Sequence, residues 1–129
     1  MPVWKEAMEL AELTFQVTDV LPKKEDYGLT SQLRRSALSI SGNIAEAFGR
    51  YHISDKINFY YYSRGSITET MSHLDYGLRV GYFKQDDIIK LNDKLYSLLE
   101  AINKLIKSLK VQYKPNPQSQ SKSQSKSKD

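Results

Sequence analysis

The chain has 129 residues, a formal net charge of +4 and no cysteine. This length favours one domain that can bury a core without covalent cross-links, and the lack of cysteine excludes disulfides, thiolate metal sites and thiol nucleophiles. No signal peptide opens the sequence, and no apolar run approaches the roughly 18 residues that span a bilayer. We therefore expect a cytoplasmic protein with no membrane partner.

The first two predicted helices run from Pro2 to about Asp19 and from Thr30, as the N-cap, to about Gly49. Proline suits a first helical position because it has no amide hydrogen to leave unsatisfied. Each helix carries an apolar stripe with alternating spacings of three and four residues, and we expect both stripes to face a core. The stripes are Trp4, Met8, Ala11 and Phe15 in the first helix, and Leu33, Ala37, Ile40, Ile44 and Ala47 in the second.

The third and fourth predicted helices begin at an N-cap of Ser54 and at Asp86 or Asp87, and Gly81 terminates the third. Their apolar positions follow the same spacing, and the fourth helix is the most regular. The core-facing residues are Ile57, Tyr61, Ile67, Met71, Leu74 and Leu78 in the third helix, and Ile88, Leu91, Leu95, Leu98, Ile102, Leu105 and Leu109 in the fourth.

The end of the chain differs in composition from the rest. Residues 118–129 contain only Gln, Ser, Lys and Asp, so no apolar group offsets the entropy of ordering them. We predict two parts: residues 1–113 as an all-α, antiparallel up-down-up-down four-helix bundle, and residues 114–129 as a disordered, basic tail. Short links between amphipathic helices favour that topology.

The second and third helices carry an ordered series of short motifs. They are Tyr27-Gly28-Leu29-Thr30-Ser31-Gln32-Leu33-Arg34-Arg35-Ser36-Ala37, Ser39-Ile40, Asn43-Ile44-Ala45-Glu46, Gly65-Ser66 followed by Glu69, and Gly81-Tyr82. The series resembles the bacterial four-helix bundle family first noticed in intervening sequences of large-subunit ribosomal RNA genes, over roughly residues 3–108. Relatives include the accessory variability proteins of diversity-generating retroelements. The family's motif in the second helix usually ends in Glu-Gly, whereas Ala47 follows Glu46 here.

The resemblance implies a homo-oligomer, namely a pentameric, barrel-like ring with a basic surface. For the retroelement branch it also implies binding of nucleic acid and of a reverse transcriptase. The branch found in ribosomal intervening sequences has no settled function. We therefore expect a non-catalytic accessory protein that binds DNA or RNA, and the alternative is an oligomeric protein-binding scaffold that does not bind nucleic acid.

Six basic residues are the candidates for contact with nucleic acid. Guanidinium and ammonium groups bind phosphate oxygens without reading the base sequence. The alternative for the arginines is solvation or pairing with acids, which the acidic first helix could supply, and Arg50 also suits the C-terminal end of a helix. The candidates are Arg34, Arg35 and Arg50 in the bundle and Lys122, Lys126 and Lys128 in the tail.

Two further groups of residues are assigned to packing. Tyr60, Tyr61 and Tyr62 are consecutive, and successive helical residues turn by about 100°, so at least one must reach the surface. We predict an oligomer interface there, with base stacking as the alternative. Asn43 and Glu46 lie three residues apart, and we predict that they form a structural polar network with Arg64.

The sequence offers no set of residues that suggests catalysis. Glu69 and His73 are four apart on one helix, but a di-metal bundle would need two Glu-x-x-His pairs and further glutamates. No phosphate loop, dinucleotide fingerprint or nucleophile elbow occurs. We expect no enzyme activity, no metal and no cofactor.

Overall fold

The computed structural model describes residues 1–113, and the predicted tail, residues 114–129, lies outside the described residues. Each helix packs against two others in the closed cycle α1, α2, α3, α4. This arrangement, with its short links, is the predicted antiparallel up-down-up-down bundle, and it places the α1/α2 groove opposite the α3/α4 groove. The helices are α1 Pro2–Thr18, α2 Leu29–Gly49, α3 Ile53–Arg79 and α4 Gln85–Gln112.

The core confirms the apolar stripes that were predicted for α2 and α4. All five predicted residues of the α2 stripe are inaccessible to solvent. In α4, Leu105 and Leu109 are half-buried and Ile106 is buried, so the apolar stripe of this helix widens near its end. Within residues 1–113, no helix is long and apolar enough to cross a membrane.

The stripe predicted for α1 is wrong by one residue. The buried face of α1 includes Leu10, Thr14 and Thr18, whereas Trp4 is 38% exposed and Phe15 is 53% exposed. The two stripes have the same spacing and differ by a rotation of about 100°. Threonine can be buried here because its hydroxyl bonds within the helix: Thr14 Oγ1 donates to the Leu10 carbonyl at 2.8 Å, and Thr18 Oγ1 donates to the Thr14 carbonyl at 2.9 Å.

Small side chains bring α2 and α3 close together. Ser63 Oγ donates to the carbonyl of Ile40 at 2.9 Å, which requires direct contact between the two helices. Two hydroxyl pairs reinforce this contact, one between Ser39 and Ser66 at 2.6 Å and one between Thr70 and Ser36 at 2.9 Å. Because these buried hydroxyls are satisfied, the polar contact is compatible with the core.

The predicted N-caps of three helices are wrong by two or three residues. The residues before them serve as N-caps, namely Gly28, His52 and Lys84, and none forms a side-chain cap bond. Thr30 therefore lies inside α2, where it is buried, and the carboxylate of Glu25 accepts a hydrogen bond from the Leu29 amide at 3.2 Å instead. Ser54, Asp86 and Asp87 lie in the first turns of their helices, where the two aspartates favour the helix dipole.

The C-terminal end of α3 confirms Gly81 as the terminator. Gly81 adopts φ +88°, a conformation that residues with a Cβ rarely tolerate. The amide of Tyr82 donates to the Gly77 carbonyl at 2.8 Å, and the Gly81 amide donates to the Leu78 carbonyl at 3.1 Å. These bonds satisfy the last carbonyls of the helix and reverse the chain toward α4.

One hydrogen bond joins the two links at this end of the bundle: the Tyr82 hydroxyl donates to Glu25 Oε2 at 2.8 Å. This bond, followed by that from the Leu29 amide, lowers the pKa of Glu25 below its ordinary value of 4.5. The bond to Glu25 is also the main reason that the pKa of Tyr82 is raised above 10.0.

Tyr82→Phe is expected to remove a pH-dependent part of the stability. A lowered folded-state pKa means that the Glu25 contribution is present above 4.5 and is lost as the pH falls through the folded value. The raised pKa of Tyr82 means that its contribution is present below 10.0 and is lost as the pH rises through the folded value. In urea denaturation, wild type should exceed Tyr82→Phe in stability at pH 7, and the difference should shrink as the pH falls below 4.5. A difference that is constant with pH would contradict this assignment.

Candidate functional site

Arg34 is held by the C-terminal end of α1. Its Nε donates to Thr18 Oγ1 at 2.8 Å, and its Nη2 lies 2.9 Å from Asp19 Oδ1 and 3.3 Å from the carbonyl of Phe15. The guanidinium also lies over the Phe15 ring, with Cζ 4.0 Å from the ring centroid. Its Nε and Nη2 donors already have partners and its charge is paired with Asp19, so the structure favours the ion-pairing interpretation of Arg34 over phosphate contact.

Arg34→Ala is expected to destabilise the bundle by about 1–3 kcal/mol, because it removes hydrogen bonds of a charged donor and a cation–π contact. Arg35→Ala, one residue further along α2, removes the same charge from an exposed position and should leave stability within about 0.5 kcal/mol of wild type. Thermal and urea denaturation of the two variants measures this difference. Equal stability of the two variants would show that Arg34 does not join the helices.

The other predicted cations differ in their partners. Arg35 lies in a cleft between α2 and α3 beside Gln32, Ser39 and Glu69, and within residues 1–113 it forms no ion pair. Arg50 Nη2 lies 3.3 Å from Glu46 Oε2, and its guanidinium lies over the Phe59 ring at 4.6 Å. Lys122, Lys126 and Lys128 lie outside the described residues.

The predicted network of Asn43, Glu46 and Arg64 is not formed. Asn43 Nδ2 donates to the carbonyl of Ser39 at 2.9 Å, whereas Glu46 is exposed and pairs with Arg50. Arg64 Nη1 donates to Asn103 Oδ1 at 3.0 Å, across the groove between α3 and α4. The network fails because Glu46 faces solvent, where a carboxylate needs no buried partner.

The three consecutive tyrosines point in three directions. Tyr60 is only 4% exposed and belongs to the core of the single chain, so its side chain is not available to a partner. Tyr61 is half-buried, and Tyr62 is 58% exposed and packs edge-on against Phe59 with ring centroids 5.5 Å apart. The predicted interface role therefore remains a prediction for Tyr61 and Tyr62.

An outer apolar face lies on α1 and α2, where large apolar side chains are exposed. Its α1 part is the stripe that the sequence analysis had assigned to the core, and α2 adds exposed side chains, so the two helices form one apolar strip. An open pocket of about 530 Å³ lies between Met1, Trp4, Ala45 and Phe48. The outer apolar face consists of Met1, Trp4, Met8, Ala11, Phe15, Leu38, Ala45 and Phe48.

The titratable groups do not assemble into a metal site within residues 1–113. His73 Nε2 lies 3.3 Å from Glu69 Oε1, and this is a pair without a third ligand. The two residues are four apart on α3, where an exposed carboxylate beside a histidine is an ordinary helix contact.

The profile of the 23S rRNA-intervening sequence protein family matches residues 1–108. The chain belongs to that family. The match confirms the resemblance that was inferred from the motifs of the second and third helices. It extends over all of the first three helices and most of α4, so the whole bundle is the family's domain. A comparison with curated proteins gives no match.

Among solved structures, the family's fold recurs in a protein with unknown function from the S23 ribosomal protein family of Bacteroides thetaiotaomicron VPI-5482. The alignment has a TM-score of 0.74 and 22% sequence identity, and it covers 81% of this chain and 98% of the other. The likeness therefore shows a shared four-helix fold.

Proposed function

We propose that this intervening-sequence family protein is a non-catalytic, homo-oligomeric accessory protein that binds nucleic acid through a basic surface. The observation that supports this most is the outer apolar face, because a monomer would expose Trp4, Phe15 and Phe48 to water along one strip. A partner that covers this strip buries aromatic side chains, which dominate the energy of most interfaces.

The proposed occupant of the outer apolar face is a second copy of the chain. The face lies on the α1/α2 side of the bundle, whereas Lys107 and Lys110 lie on the α3 side of α4; Lys104 instead lines a pocket with Met1 between α1 and α4. Assembly through α1 and α2 therefore buries apolar surface without bringing Lys107 and Lys110 of different copies together. A ring of this kind would agree with the pentamer that the family resemblance implies.

The proposed nucleic-acid contact is electrostatic. The chain carries a net charge of +4, and residues 101–112 contain three lysines and no acidic residue before the chain continues into the lysine-bearing tail. Cations that bind phosphates release condensed counterions, so affinity depends steeply on salt and little on base sequence. Several copies in one assembly multiply a weak contact through avidity. If the accessory protein acts together with an enzyme, the family resemblance implies that this partner is a reverse transcriptase.

The test is binding of the full-length protein to labelled duplex DNA, single-stranded DNA and structured RNA across a salt series. The same titration of a protein truncated after Tyr113 distinguishes the contribution of the tail from that of the bundle. We expect a submillimolar dissociation constant that rises steeply with salt and weakens on truncation. No binding of any ligand at low salt would overturn the nucleic-acid part of the proposal.

A second candidate function is an oligomeric scaffold that binds another protein and no nucleic acid. The outer apolar face itself favours it, because such a face fits a protein partner as well as a second copy. It predicts that assembly persists while all three nucleic acids fail to bind.

A further inference from the structure

The groove between α3 and α4 holds a cluster of cations that the sequence analysis did not assign. Arg64 and Lys110 both lie over the ring of Tyr61, with Arg64 Cζ 4.8 Å and Lys110 Nζ 5.5 Å from its centroid. Lys107 lies one turn before Lys110 and lines an open pocket on α4 with Glu100, Asn103 and Lys104. We call Arg64, Lys107 and Lys110, with Tyr61 between them, the α3/α4 cation cluster.

This cluster has no acidic partner among residues 1–113. The acceptor for Arg64 is the neutral amide oxygen of Asn103, and neither Lys107 nor Lys110 forms an ion pair in that range. The two segments that meet here, residues 56–68 and 101–112, contain no aspartate or glutamate, and Glu100, which shares a pocket with Lys107, pairs with Lys104 instead. Within residues 1–113, the three positive charges of the cluster therefore form no ion pair.

The lysines near the cluster, in contrast, form hydrogen bonds or ion pairs within the bundle. Lys56 Nζ donates to the carbonyls of Ala47 and Phe48, both at 3.1 Å, and so completes the C-terminal end of α2. Lys104 Nζ lies 3.5 Å from Glu100 Oε1. These lysines bind acceptors in the fold, whereas within residues 1–113 Lys107 and Lys110 form neither a hydrogen bond nor an ion pair.

The Tyr61 ring prepares the cations for a ligand. A neutral ring attracts a cation to its face without cancelling the charge or occupying its N–H donors. Arg64 and Lys110 are thus held in place on both helices, which reduces the side-chain entropy that is lost when a ligand binds. Grouped N–H donors with full positive charge suit the oxygens of consecutive phosphates.

We propose that the α3/α4 cation cluster is the site in the bundle that binds the phosphodiester backbone of nucleic acid, with Tyr61 as a positioning residue. The inference rests on the proposed function, and it moves the bundle's contact away from Arg34 and Arg50.

The test compares two double variants of the full-length protein that lose the same charge from the same helix. Lys107→Ala/Lys110→Ala removes two members of the cluster, and Lys90→Ala/Lys94→Ala removes two exposed lysines from the first half of α4. A labelled 30-nucleotide single-stranded RNA is titrated across a salt series, with circular dichroism to confirm that both variants remain helical.

The cluster variant should bind about tenfold more weakly at low salt, and the slope of log affinity against log salt should fall by about one for each lost contact. The matched control should keep the wild-type slope. Tyr61→Leu retains both charges, so we expect an unchanged slope and an affinity two- to threefold weaker, in the order of one lost cation–π contact.

If wild type binds the RNA and the two double variants behave alike, the assignment of the cluster is wrong while the proposed function stands. If wild type fails to bind at low salt, both are wrong. Unchanged affinity in Tyr61→Leu would overturn the positioning role alone.

Discussion

Trp4→Glu combined with Phe48→Glu is expected to convert the proposed assembly into folded monomers. Both side chains belong to the outer apolar face and neither belongs to the core of the single chain. Removal of two aromatic anchors, each worth about 2 kcal/mol or more, should raise the dissociation constant by about 1,000-fold. Burial of two new carboxylates in an apolar interface would add to this effect.

Sedimentation velocity at several protein concentrations measures this effect directly. The matched control is Asn58→Glu combined with Ser97→Glu, which adds the same charge at exposed positions outside the face. The control should sediment as wild type, and all three proteins should have the same helical content. If Trp4→Glu/Phe48→Glu keeps the wild-type sedimentation coefficient, copies of the chain do not meet through this face.

Gly77→Ala should destabilise the bundle, whereas Gly65→Ala on the same helix should stabilise it. A Cβ at Gly77 would overlap the ring of Phe83, and that residue is only 7% exposed, so the ring cannot move away freely. Overpacking of a core costs about 1–3 kcal/mol. At Gly65 nothing lies within 4 Å of the added methyl group, and the gain in helix propensity is about 1 kcal/mol.

Urea denaturation of the two variants beside wild type measures both free energies of unfolding. The sign of the difference matters more than its size, because each variant makes the same chemical change. A Gly77→Ala variant that matches Gly65→Ala in stability would show that Phe83 relaxes without strain. The link between α3 and α4 would then not depend on a glycine at this position.

The fold could be predicted from the sequence wherever one apolar stripe dominates a helix. In α4 the leucines and isoleucines leave one choice of face, and in α2 the seam from Leu33 to Ala47 does the same. In α1 two stripes have equal spacing, and the larger aromatic residues suggested the wrong one. Threonine at positions 14 and 18 concealed the buried face, because its hydroxyl bonds to the helix backbone and needs no water.

The presence of two apolar stripes in α1 was itself a sign of the outer apolar face. The first helix has Val3, Leu10, Leu13 and Val17 in addition to the predicted stripe, which is more apolar surface than one bundle core can cover. A helix with two adjacent apolar faces in a chain of this size supports the proposed contact between copies. The prediction from sequence recognised only one of these two faces.

The candidate site was harder to predict because charge alone does not say which cations are free. Arg34 and Arg50 looked available in the sequence, yet Asp19 and Glu46 neutralise them in the fold. Arg64 was assigned to a structural polar network, whereas it lies over the Tyr61 ring together with Lys110. Arg64 and Lys110 are 46 residues apart in the chain. Contacts between distant segments decide these partners, and a single sequence does not display them.

The most direct test of the proposed assembly and of its contact with nucleic acid is the salt dependence of RNA binding by wild type and by the Trp4→Glu/Phe48→Glu variant. If copies assemble through α1 and α2 and present the α3/α4 cation cluster together, the monomer should bind more weakly and with a smaller slope of log affinity against log salt. Equal affinity and equal slope for the two proteins would contradict the account, because assembly would then add nothing to the contact with nucleic acid.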